Sequence, residues 1–169
     1  MTRSLIAAAL LLGAAAFAAP RARAQDPGTE AAHGKKLVPA KRAKITFPGG
    51  KSINAYVVDT PIDRERGLMY YKKLSPDFGE LFVFPREMMM TFWMKNTLVP
   101  LDIVFIGADK KITVVHARMK ATTPETPDEE IGRCGGTAQY VLELPAGAAA
   151  RRKLKAGDRL KFSADIPLD

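Results

Sequence analysis

Two runs of this chain, LFVF at residues 81–84 and LDIVFI at 101–106, carry apolar side chains at both alternating sets of positions. A β-strand sends successive side chains to opposite faces, so runs of this kind need cover on both sides. Each therefore reads as a central strand, and the rest of the chain must supply flanking strands and the material that covers both faces. Cys134 is the only cysteine, so no internal disulfide helps and the core alone has to hold the fold.

The flanking elements can be read in turn. Ile45 and Phe47 alternate with polar neighbours, Pro48-Gly49-Gly50 offers a turn, and Ile53, Ala55 and Val57 resume the alternation, which is a hairpin pattern. In TPIDRERGLM, Thr60 can cap a short helix, Pro61 suits its first turn, Asp63 lies three residues after the cap and Gly67 can end it. Arg64 and Arg66 near its end suit the helix dipole. Residues 91–95 alternate Phe92 and Met94 against Trp93 and read as a strand of their own, and residues 111–118 alternate Ile112, Val114 and His116. Tyr140, Leu142 and Leu144 mark another strand, residues 146–154 a short Ala-rich helix, and residues 159–164 the last strand. Residues 119–137, with Pro124, Pro127 and three glycines, read as a long loop. The expected fold is α+β: a mainly antiparallel, twisted or barrel-like sheet of seven to eight strands with two short helices, in one domain over residues 43–169.

The N-terminal segment points to export. Arg3 precedes an uncharged stretch rich in Ala and Leu at residues 5–19, Pro20 breaks it, and Ala22-Arg23-Ala24 offers the small-x-small pattern of a signal-peptidase site. The stretch is shorter than the ~20 residues a membrane-spanning helix needs. Residues 1–24 are therefore read as a signal peptide and residues 25–42 as a disordered basic linker that takes His33 out of any rigid site. Cleavage removes Arg3, Arg21 and Arg23 and takes the formal charge from +8 to +5. The mature protein is expected to be periplasmic or secreted, with no membrane span and no nucleic-acid partner. Its basic N-terminal tail can make weak contact with anionic surfaces.

Four blocks carry a family resemblance: RERGLMYYKKL at 64–74, LFVFP at 81–85, FWMKNTLVPLDIVFI at 92–106, and YVLELPAG with GDRL at 140–147 and 157–160. Together they resemble the family named "domain of unknown function 192". The resemblance covers about residues 43–164 and implies a compact β-rich domain, often exported, with no assigned reaction. Members of that family often have Met in the segment before LFVF, where this chain has Glu80.

Candidate chemistry centres on KNTLVPLD. Lys95, Asn96, Thr97 and Asp102 place an amine, an amide, a hydroxyl and a carboxylate within a few residues, next to the lone Trp93. Glu143, between Leu142 and Leu144, is expected to face away from the apolar side of its strand. One reading makes these groups ion pairs that lock strand ends, Lys95 with Asp102 or Arg66 with Glu143. The other makes Trp93, Lys95, Asn96, Thr97, Asp102, Arg66 and Glu143 the lining of a small-ligand site, since such sites are mostly apolar with a few aimed polar groups. A thiol or hydrolase reading would use Cys134 with His116 or Asp102. A copper reading would use the soft thioethers of Met88, Met89, Met90 and Met94, against the ordinary use of Met as core filler. Glycine-rich phosphate loops, paired-His zinc motifs and nucleophile elbows are missing from the sequence. No cofactor is expected. The reading that results is an exported module, leaning away from catalysis, that binds a small molecule or a component of the cell envelope.

Overall fold

The structure, a computed structural model, describes residues 41–163. The expected signal peptide, nearly all of the expected linker with His33, and residues 164–169 lie outside the described residues. The elements are β1 (Arg42–Thr46), β2 (Ser52–Val58), α1 (Pro61–Arg66), β3 (Glu80–Trp93), β4 (Leu101–Ile106), β5 (Ile112–Met119), β6 (Arg133–Pro145), α2 (Ala148–Arg151) and β7 (Lys161–Phe162). All seven strands share one sheet in the order β5-β4-β6-β3-β2-β1-β7. The sheet curls into a half-barrel, and a bridge between Lys111 and Arg159 joins the segments leading into its two end strands.

The doubly apolar runs sit where their pattern requires. All six residues of β4 are buried, as are Leu81, Phe82 and Val83 of β3. Leu81, Val83, Val104, Ile106, Leu142 and Leu144 join the core enclosed by the curl, together with Ile45, Ala55 and Val57 of the hairpin. The alternate residues Phe82, Ile103, Phe105 and Val141 belong to a second core on the other face, under Leu68, Met94 and the partly buried Phe92. Burying such side chains on both faces contributes about 1.5–3 kcal/mol apiece, which makes β3, β4 and β6 the rigid centre of the molecule.

Local signals also do what their chemistry predicts. The β1–β2 hairpin pairs Ile45 with Ile53 and turns through Gly49 and Gly50, whose φ values of +87° and +86° only glycine adopts readily. Thr60 caps α1 by accepting from the Asp63 N–H at 3.2 Å, and Gly67 ends it at φ +43°. Helix α1 lies in the crossover between β2 and β3, which pair in parallel (Val57 with Leu81), so the sheet is mixed rather than wholly antiparallel.

Four sequence expectations are corrected. Residues 81–84 and 91–95 are not two strands: β3 runs unbroken from Glu80 to Trp93 along β6, with a register shift between Val83 and Met88. The long loop is shorter than expected, because β6 already begins at Arg133. Gly135 and Gly136, read as loop glycines, lie in the strand, where a side chain on Gly136 would come within 2.7 Å of Val114 and 3.0 Å of Phe105. The Ala-rich helix is a single turn, and the last strand has two residues.

Candidate functional site

The chain leaves β3 at Trp93 and turns at once, with the Thr97 N–H donating to the Met94 carbonyl at 3.0 Å. Asn96 occupies the left-handed region at φ +54°, and Tyr70, in the segment after α1, does so at φ +66°. The two hold each other: the Tyr70 N–H donates to the Asn96 carbonyl at 2.8 Å, and the Asn96 side-chain amide donates to the Tyr70 hydroxyl at 2.9 Å. A bulky residue in this conformation is uncommon and costs on the order of 1 kcal/mol or more. Thr122 fastens the turn from behind, its N–H on the Thr97 carbonyl at 2.8 Å and its hydroxyl on the Met94 carbonyl. The loop between β5 and β6 thus has a structural duty.

Between the two turns lies a cleft. Arg66, Gly67 and Met69 form one wall and Trp93, Lys95 and Thr97 the other, while Phe82, Phe92 and Glu143 are also part of the lining. Gly67 keeps it open: a Cβ there would stand 3.0 Å from Cζ of Phe82 and 3.9 Å from Oε2 of Glu143. The open volume is about 30 Å³, room for one or two waters. Trp93 is 43% exposed, whereas Glu143 is 5% exposed. Lys95 Nζ sits 5.3 Å from the Trp93 ring centroid and 3.6 Å from the exposed Asp128 carboxylate, a pair weak enough to open. Arg64 also lines the cleft, but its guanidinium donates to the carbonyls of Asp59 and Val83 and lies over the Phe84 ring.

Five of the seven candidate ligand residues therefore share one cleft: Trp93, Lys95, Thr97, Arg66 and Glu143. Asn96 does not line it and instead ties its rim to Tyr70. Asp102 is elsewhere. It is fully buried and accepts backbone N–H groups from Arg118 at 2.8 Å and Ala149 at 2.7 Å. The second contact caps α2, whose own N-cap, Gly147, has no side chain to do so. The proposed Lys95–Asp102 pair does not form. Glu143 does face opposite Leu142 and Leu144, but that face is buried too where β6 runs from Ala138 to Leu144, and Glu143 lines the cleft. Opposite it in register is Glu80, also fully buried. Buried carboxyl groups carry a large desolvation cost, and sequence reasoning did not anticipate that Glu80 is buried beside Glu143 in register, though it does not itself line the cleft. The signal available was an acid directly before an all-apolar strand.

The other candidates come apart. Cys134 is buried, and burial, with the Glu143 carboxylate as a second cause, pushes its thiol up to about 12. No hydrogen bond joins it to His116, whose Nε2 donates instead to the Gly135 carbonyl at 2.9 Å while the ring packs edge-on to Phe105. Met88 and Met89 are exposed neighbours on a strand and so point to opposite faces, while Met94 is fully buried in the second core. The four thioethers thus do not share one surface, since Met90 packs with Met94 in the second core while Met88 and Met89 are exposed. Among the described residues no three His, Cys, Asp or Glu side chains are placed to share a metal ion, and no helix is long and apolar enough to cross a membrane.

Comparison with known proteins places this geometry in a family. No curated protein matches the chain. A crystal structure of a protein from Sinorhizobium meliloti 1021, proposed to be a transcription regulator, is 33% identical with a TM-score of 0.60 over 72% of this chain and 92% of its own. A protein of unknown function from Novosphingobium aromaticivorans DSM 12444 is 30% identical with a TM-score of 0.59 over 71% of this chain and 83% of its own. The model of the family described as "Uncharacterized ACR" matches residues 44–162, nearly the whole of the half-barrel, and the chain belongs to that family, DUF192.

Proposed function

We infer that the protein is an exported binding module whose cleft takes the polar end of a small molecule of the cell envelope. The observation that carries this is a half-exposed lone tryptophan and a loosely tethered lysine standing over a buried glutamate, on a rim held by two left-handed residues. Strained, cross-braced turns of this kind cluster at sites that need preorganisation. A volume of about 30 Å³ is too small for a whole metabolite, whose sites run to roughly 300 Å³ and more. It suits one end group. Glu143 at the bottom favours a hydrogen-bond donor such as an ammonium group, and Lys95 and Arg66 at the rim favour an acidic group beside it. A zwitterionic terminus, as in an amino acid, offers both. Catalysis is not favoured, because the thiol is masked and no hydroxyl among the described residues of the cleft is hydrogen-bonded to a basic side chain.

Trp93 is the only tryptophan, so its emission reports on the cleft. Titration with alanine is expected to give a saturable change, lost with N-acetylalanine and with alaninamide, abolished in Glu143→Gln and weakened in Lys95→Met. If no small amine, acid or zwitterion moves either the emission or the melting midpoint, the reading is wrong.

A further inference from the structure

A second surface, away from the cleft, has a different character. On the outward face of the β1–β2 hairpin, cross-strand partners form a two-column ladder: Arg42 beside Tyr56, Lys44 beside Asn54, and Thr46 beside Ser52. The β1 column is cationic at two of its three positions, and the β2 column is neutral and able to hydrogen-bond. Residues 75–78 rise beside the ladder, with Ser75, Asp77 and Phe78 as a wall, and enclose a groove of about 590 Å³. Ser52 and Asp77 also line an adjoining hollow of about 450 Å³, where Lys51, Arg151 and Arg152 are added. Sharing Ser52 and Asp77, the two hollows adjoin beside the hairpin as a basic channel in two parts. Arg42 to Thr46 alone spans about 14 Å, and Arg42 and Lys44 are spaced by roughly 7 Å.

The charge along this channel is one-sided. Its lining holds the five cations Arg42, Lys44, Lys51, Arg151 and Arg152 against the single carboxylate of Asp77. Asp77 is bound by Arg152 at 3.1 Å. None of the other four cations has a carboxylate partner among the described residues. Among the described residues Arg42 is held by neutral contacts, a 2.8 Å hydrogen bond to the Tyr56 hydroxyl and a stack over its ring at 4.3 Å. These contacts hold its guanidinium beside the groove. Like charges gathered without counter-charges repel, and an anionic ligand relieves that repulsion.

We propose that this channel binds an extended acidic polysaccharide. The cations match a chain carrying a carboxylate on its sugars, and Ser52, Asn54, Ser75 and Tyr56 match the hydroxyls between them. Nucleic acid fits less well, because single strands are held by stacking bases on aromatic faces. Here Tyr56 lies under Arg42 and against Phe78, with ring centroids 5.5 Å apart. A membrane surface also fits less well. The channel is concave, and the exposed large apolar side chains, Ile62, Met88, Met89 and Trp93, are not in it.

The test is titration of the full chain with fluorescently labelled octagalacturonate at two salt concentrations, with neutral dextran as control. Binding is expected to be saturable and to weaken several-fold as salt rises. It should fall at least tenfold in Arg42→Gln/Lys44→Gln and, separately, in Lys51→Gln/Arg151→Gln. These two exposed pairs lie on different elements, so a folding defect in one does not decide the matter. Lys95→Met should leave it unchanged, which separates this surface from the cleft. Equal binding of dextran, no effect of either double variant, or no binding at all would overturn the proposal. So would tighter binding of oligo(dT) or of phosphatidylglycerol vesicles through the same arginines and lysines.

Discussion

Replacing Asp102 with alanine is expected to damage the fold severely and the cleft hardly at all. The carboxylate is fully buried and is the partner of two backbone N–H groups, those of Arg118 and Ala149, at 2.8 and 2.7 Å. Alanine leaves both donors in the interior without an acceptor. Each orphaned donor costs about 1–3 kcal/mol, so the loss should be about 4 kcal/mol, a large share of the 5–15 kcal/mol typical of a domain. At a urea m-value of about 2 kcal/mol/M, the midpoint falls by roughly 2 M. Asp102→Asn keeps one acceptor oxygen and turns an amide against the other N–H, so it should lose about half as much or more. Urea unfolding followed by circular dichroism, with Trp93 emission as a second probe, measures both. A loss under 1 kcal/mol for alanine, or an asparagine variant as stable as the parent, would refute the assignment of Asp102 as an internal cap.

Three further outcomes follow from the same kind of argument. With its thiol pushed up to about 12, Cys134 is thiolate to only about one part in ten thousand at pH 8 and should resist alkylation until the protein unfolds. Below pH 9 the thiol is protonated in both folded and unfolded chains; between pH 9.0 and about 12 the unfolded thiol loses its proton first, so stability falls through that window. Cys134→Ala should therefore flatten the alkaline limb of a stability–pH curve. His116→Leu should cost about 1–2 kcal/mol in chemical denaturation, because the Gly135 carbonyl loses its donor where β4 no longer flanks β6. Gly136→Ala should cost about 1–3 kcal/mol by pressing a methyl group onto Val114 and Phe105, and a stabilised variant would show that the sheet is looser there than the contacts imply.

Much of the fold was legible because its signals are local. Leu81, Phe82 and Val83 and the β4 run announce burial on both faces, Thr60 and Pro61 announce a helix start, and Gly49-Gly50 announces a turn. What failed was non-local. Nothing in residues 85–90 says that β3 continues, because continuity depends on β6 lying alongside. Gly135 and Gly136 resemble loop residues until Phe105 and Val114 are seen against them. Asp102 and Lys95 are near in sequence, but Asp102 is an interior residue of β4 and its partners come from β5 and α2. Glu143 faces away from Leu142 and Leu144 as the alternation implies, but the alternation does not reveal that both faces of β6 are dry there.

The parallel pairing of β2 with β3 has a consequence beyond the sheet. Antiparallel neighbours can be joined by two residues, but parallel neighbours need a dozen or more, and here residues 59–79 make the return journey. That detour delivers Arg66, Gly67 and Met69 to the cleft and Ser75, Asp77 and Phe78 to the basic channel. A single obligatory overpass thus carries material to both surfaces proposed to bind ligands. Its residues can be exchanged to change what is recognised while the girders beneath stay as they are, but the span itself cannot be removed without disconnecting the sheet.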